Sequence, residues 1–172
     1  IGETDTWSEG FALTTHPAPP TLTSPDDLLA CQAFDQTLTW TAVPNAAKYK
    51  LQVSTDANFG NTVIDTQITA TTADIKLNKY FTTYYWRVKG LLVGCETPYS
   101  TPRSLSTLVG PPDMAHPRKD SVGVPLGVQF SWPAAPGANT YDLQISDDPN
   151  FNNLLIDQMN ITDVNYSWTA PD

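Results

Sequence analysis

The sequence predicts an all-β protein: tandem antiparallel β-sandwiches, the first and last copies incomplete. Three observations predict it. Apolar and polar residues alternate over short runs, the period of a half-buried strand. Fifteen prolines and only 16% charged residues disfavour long helices and leave a chain rich in strand and turn formers. Finally, one segment is written twice. Leu51-Gln52-Val53-Ser54 with Asp56, Asn58 and Phe59 returns 92 positions later as Leu143-Gln144-Ile145-Ser146 with Asp148, Asn150 and Phe151. Between 36–65 and 128–157, 14 of 30 aligned positions are identical, too many for chance and the mark of copies of one folding unit.

The offset sets the expected domain organisation. Trp7-Ser8, Leu13 and Thr15 stand 92 positions before Tyr99-Ser100, Leu105 and Thr107, so residues 1–16 read as the closing strand of a preceding copy. Residues 17–108 read as a complete copy, and 109–172 as a partial one lacking the last two strands. A unit of 92 residues can bury a core unaided.

The elements of the complete copy follow in order. Pro17-Ala18-Pro19-Pro20 is a stiff, extended connector, matched by Gly110-Pro111-Pro112. Thr37–Thr41 alternates and sends Leu38 and Trp40 to one face. Val43-Pro44-Asn45 is a turn. Tyr49, Leu51 and Val53 then share a face, with Lys48, Lys50 and Gln52 opposite. Asp56–Asn61 is a loop of turn formers, and Thr62–Thr69 and Thr72–Leu77 are two further strands. Tyr84, Trp86 and Val88 alternate with Tyr85 and Arg87 in another buried strand. Leu91, Leu92 and Val93 fall in the loop after it, where consecutive apolar residues need cover: a partner contact, or packing on the preceding unit or beneath a Cys31–Cys95 staple. Ser104–Leu108 closes the unit. The expected core is Leu38, Trp40, Tyr49, Leu51, Val53, Tyr84, Trp86 and Val88, and in the next copy Trp132, Tyr141, Leu143 and Ile145.

Chemistry-bearing patterns are sparse. The net charge of −9 repels phosphate backbones, so nucleic acid is not an expected partner. Apolar runs fall far short of a bilayer span, so no membrane insertion is expected in this segment. Cys31 and Cys95 make an even count that suits an oxidising compartment and predicts a disulfide between them, with two unpaired thiols as the alternative. Asp56-x-Asn58 and Asp148-x-Asn150 offer oxygens to calcium, but too few for a site; closing a turn explains them equally well. His16 and His116 have no ligand-spaced partners, and neither a nucleophile–base arrangement nor a singled-out carboxylate pair is found. No catalytic residue, metal or cofactor is expected.

Trp40, the Tyr49-x-Leu51-x-Val53 run and Thr82-x-Tyr84-x-Trp86-Arg87-Val88 together resemble fibronectin type III domains, an immunoglobulin-like sandwich family. Tyr84 takes the place of that family's buried corner tyrosine, although Leu77 precedes it by seven positions where six is usual. The wording Leu-Gln-Val-Ser-Thr-Asp-x-Asn-Phe and Tyr-Tyr-Trp-Arg-Val is similar to copies repeated in large secreted and surface proteins of Bacteroidota-like bacteria. The resemblance implies an extracellular or cell-surface location and a non-catalytic spacer role in an adhesin or filament protein. Its partners would be neighbouring copies, with other surface proteins or glycans held by weak multivalent contacts. The alternative it leaves open is an accessory module of an extracellular hydrolase. A third expectation, that Trp7–Thr15 closes a neighbour's incomplete unit, is weaker, since one strand cannot replace two.

Overall fold

The computed structural model describes residues 17–169, so the Trp7–Thr15 segment lies outside the described residues. Thirteen strands and no helix occur among them. In chain order they are β1 (Leu22–Ser24), β2 (Leu29–Gln32), β3 (Asp35–Trp40), β4 (Lys48–Ser54), β5 (Thr62–Ile68), β6 (Thr72–Lys76), β7 (Thr83–Leu92), β8 (Cys95–Glu96) and β9 (Arg103–Thr107). Then follow β10 (Gly127–Ser131), β11 (Tyr141–Ser146), β12 (Leu154–Ile161) and β13 (Asn165–Thr169). By its contacts the chain forms two compact units. Of the described residues, one takes in those up to Leu29, Asp35–Leu77 and Thr83–Leu105; the other takes in Ala30–Phe34, Asn78–Thr82 and those from Ser106 on.

The strands up to β9 form two sheets, β1-β3-β6 and β2-β9-β7-β4-β5, with β8 added to β7. Alternation gives each sheet one apolar face. Leu22, Leu38, Trp40 and Ala73 are buried from the first sheet; Tyr49, Leu51, Val53, Tyr84, Trp86, Val88 and Leu105 are buried from the second. The layers meet at Trp40 and Tyr49, whose rings lie edge to face at 5.7 Å. The fold is therefore an antiparallel β-sandwich. Only β2 departs from the antiparallel rule. Leu28 N–H donates to Ser104 O and Leu108 N–H to Gln32 O, so β2 runs alongside β9 in the same direction.

The turn at Val43-Pro44-Asn45-Ala46 shows how sequence sets the sheet entry. Proline supplies the first corner, Asn45 takes the left-handed conformation at φ 62°, and Ala46 N–H donates to Val43 O. Tyr49 then reaches back, its hydroxyl accepting from Val43 N–H at 2.9 Å. At the 92-residue offset Gly137 has φ 82°, Ala138 N–H donates to Ala135 O, and the Tyr141 hydroxyl accepts from Ala135 N–H at 3.0 Å.

The later strands pair as β10-β13 and β11-β12. Trp132 and Tyr141 pack at 5.5 Å, and with Leu143 they form a small buried cluster. Phe130, Ile145, Ile161 and Tyr166 pack around it, so Ile145 is only partly buried.

Two expectations need correction. β7 does not stop before Leu91: it runs through Leu92 and returns through β8, with Leu91 opposite Glu96 and Leu92 opposite Cys95. Leu91 and Leu92 are thus paired, half-buried strand residues, while Val93 is 95% exposed in the two-residue turn with Gly94 (φ 80°). The Cys31–Cys95 disulfide is also absent; both cysteines are free and exposed. The reason is register. Cys95 pairs with Leu92 at the end of β7, whereas β2 meets β9 at the level of Thr82, just before the start of β7. Nine or so strand steps of about 3.3 Å intervene, far beyond the roughly 7 Å limit for bridged Cα atoms. Without reductant, a thiol reagent should therefore titrate two cysteines in the folded protein, and C31S/C95S should melt with wild type. Fewer than two reactive thiols would restore the bridge.

Candidate functional site

The outward face of β4, β5 and β7 carries a ladder of charged and aromatic side chains. Register puts Gln52 opposite both Asp65 and Arg87, and Lys50 opposite Lys89. Gln52 joins the strands. Its Nε2 donates to Asp65 Oδ2 at 3.0 Å, and its Oε1 accepts from Arg87 Nε at 3.0 Å and Nη2 at 2.8 Å. The two facing lysines are each neutralised: Lys50 Nζ lies 3.1 Å from Asp65, and Lys89 donates to Glu96 on β8. Like charges directly opposite would otherwise weaken the pair. The Gln52 amide, and then Lys50, hold the Asp65 carboxyl below its usual range; the hydrogen bond and charge of Asp65 hold the Lys50 ammonium above its own.

The Arg87 guanidinium sits between two rings, 3.9 Å from the Phe59 centroid and 4.1 Å from that of Tyr99. Lys89 Nζ also stands 5.0 Å from Tyr99. Strict alternation in β4 and β7 made the outward direction of Gln52 and Arg87 legible. Phe59 and Tyr99 were not legible as their partners, because each comes from a loop and the contacts are long-range. Tyr99 covers two cations, Arg87 and Lys89.

The Asp56–Asn61 loop is built from its own polar groups. Both Asp56 oxygens are engaged, Oδ1 accepting from Asn58 N–H and Oδ2 from Gly60 N–H. Asp148 does the same with Asn150 and Asn152. Turn closure thus engages both oxygens of each carboxylate. Among the described residues, no group of three or more His, Cys, Asp or Glu converges. These backbone bonds hold both carboxyls below their ordinary range. A carboxyl lowered in the folded state contributes stability above its unfolded pKa of about 3.9, and that contribution is lost as pH falls through the folded value. Asp56→Asn should therefore lower the melting temperature near neutrality, and the gap to wild type should close on acidification. A gap unchanged at about pH 2 would show that the charge is immaterial.

The other expected positions are placed as follows. Leu38, Trp40, Tyr49, Leu51, Val53, Tyr84, Trp86, Val88, Trp132, Tyr141 and Leu143 are buried. The Tyr84 hydroxyl is buried with no hydrogen-bond partner among the described residues, unlike the bonded corner tyrosine that the resemblance leads one to expect. His116 exchanges backbone hydrogen bonds with Ser131.

No family model and no curated protein matches the chain. Solved structures similar to it include fibronectin type III domains. A Fn3-like protein from Clostridium thermocellum is 29% identical, with TM-score 0.44 over 54% of this chain and 95% of that one. The fn3 domain of human collagen alpha-1(XX) chain is 18% identical, with TM-score 0.45 over 59% and 95%. A beta-1,2-glucanase from Parabacteroides distasonis is 13% identical, with TM-score 0.39 over 55% of this chain and 14% of that enzyme.

Proposed function

We propose that the chain is a non-catalytic spacer made of tandem fibronectin type III-like modules, 17–108 and 109–172, in a secreted or cell-surface adhesin or filament protein. One observation carries this reading: the same bonding scheme occurs twice, 92 residues apart. The Gln52–Asp65 bond is matched by Gln144–Asp157, the Asp56 turn by Asp148, and the Tyr49 clasp by Tyr141. A unit written twice down to its hydrogen bonds supports serial use, in which each module buries its own apolar faces and adds length. Polar groups on the ladder are spent on one another, which supports rigidity over catalysis. Partners in this reading are neighbouring modules, with surface proteins or glycans touched weakly along the length.

Pulling single molecules tethered at both ends tests it. Residues 17–108 should unfold in one cooperative step, and the protein should stay in the supernatant over insoluble chitin or cellulose. Retention on a glycan, lost when exposed aromatics are replaced, would favour the accessory-module role in an extracellular hydrolase instead.

A further inference from the structure

Among the differences between the two copies of the 92-residue scheme are two glycines, and each lies under an aromatic ring. Gly110 takes the place of Ala18, and Gly137 the place of Asn45. The loop 78–82 belongs by its contacts to the compact unit that holds the residues from Ser106 on. Within that unit Tyr80 rests on Gly110 and Phe81 on Gly137. A Cβ at Gly110 would stand 2.9 Å from both Cγ and Cδ2 of Tyr80, and one at Gly137 would be driven deeper still into the Phe81 ring. Gly123 and Gly127, the remaining glycines between 109 and 169, have open space where a Cβ would go.

Backbone geometry alone does not call for glycine at 137. Asn45 holds the same left-handed conformation, φ 62° against 82°, in a turn closed by the same hydrogen bond. An asparagine side chain at 137 would instead meet the space that Phe81 fills. The rings are held from behind. Buried Thr107, at the end of β9, donates through Oγ1 to Lys79 O at 2.6 Å and accepts from Thr82 N–H at 3.1 Å. Phe81 N–H donates to Leu108 O at 2.8 Å, and the Phe34 ring packs on Tyr80 at 4.8 Å. On the other side Pro111, Pro112, Pro133 and Pro136 line the cleft around the rings, and their fixed φ leaves the backbone little room to retreat. Two stiff parts therefore meet, and volume sets the fit between them.

We propose that Gly110 and Gly137 form a seat for the Tyr80–Phe81 pair and select which copy can follow that loop, an inference that rests on serial use of the modules. A copy with glycine at both places receives an aromatic loop. A copy with the residues of 17–108, Ala18 and Asn45, refuses it by steric overlap. The order of copies is then specified by exclusion as well as by attraction.

Amide hydrogen exchange of the full 172-residue chain, followed by NMR, tests this. G137N gives the second copy the first copy's residue and should speed exchange of the Ala138 amide about tenfold or more. The Phe81 amide, across the contact, should be speeded with it. In an F81A background the added G137N should change the Ala138 rate by less than about twofold, because the ring is gone. Phe81 is half exposed, so F81A should stay folded. If G137N alone unfolds its unit, a folded F81A/G137N supports the seat equally. G110A, alone and with Y80A, makes a second cycle read at the Phe81 amide, and the proposal needs both cycles. Equal acceleration with and without the ring would overturn it, since glycine would then serve only the backbone of the turn. No acceleration in either background, or unfolding in both, would overturn it as well. Single-step unfolding of residues 17–108 depends on neither glycine, so failure here and failure of the spacer reading are told apart.

Discussion

Trp86→Ala should unfold the first sandwich at markedly lower denaturant than wild type. The indole is buried between the sheets, opposite Val53 on β4. Truncating it removes a large apolar surface and leaves a cavity that a close-packed interior refills only in part. Such losses cost about 3–5 kcal/mol, a large share of the roughly 5–15 kcal/mol that holds a typical domain. A second substitution separates volume from polarity. The Trp86 indole nitrogen is buried with no hydrogen-bond partner among the described residues. Trp86→Phe keeps an aromatic ring and removes that unpaired donor, whose burial is itself a cost of about 1–3 kcal/mol. It should therefore be far milder than the alanine. Urea unfolding checks both: midpoints should fall steeply for alanine and slightly for phenylalanine, with slopes unchanged. Equal losses would show that ring shape, not buried area, holds the sheets together.

Trp86 also shows what was legible in the sequence. Its direction follows from period two alone: Tyr84, Trp86 and Val88 face one way, and Tyr85 and Arg87 the other. The same rule located the buried sides of β3 and β4, and proline followed by asparagine located the turn between them. The rule fails where alternation stops. Leu91-Leu92-Val93 is apolar at every step and says nothing about pairing, so the continuation of β7 into a hairpin was not legible. Cysteine count likewise carries no register, and register is what keeps Cys31 away from Cys95. On the ladder, single-strand periodicity places Gln52 and Arg87 outward, but Phe59 and Tyr99 arrive from loops whose course depends on tertiary contacts. Asp56 and Asp148 were readable as turn formers because their bonding is local, spanning two and four residues.

Arg87→Ala should destabilise the same sandwich by about 2 kcal/mol, a large effect for a substitution on an outward face. The guanidinium touches two ring faces, each such contact being worth about 0.5–1 kcal/mol at exposed sites and more when solvent is excluded. It also donates twice to Gln52 Oε1, which would be left to water alone. Lysine should recover little of this. An ammonium has no plane to lie between Phe59 and Tyr99 and no fork to meet one oxygen twice. A double-mutant cycle of Arg87→Ala with Phe59→Leu apportions the effect, and a coupling of about 1 kcal/mol is expected for residues in direct contact. Salt distinguishes the mechanism further. Ring and amide contacts are shielded from solvent ions, so the cost of Arg87→Ala should persist at about 0.5 M salt, whereas the exposed Lys50–Asp65 pair should weaken there. If the cost of Arg87→Ala vanished in salt, long-range attraction to the acidic surface would be its source, and the two rings would be bystanders.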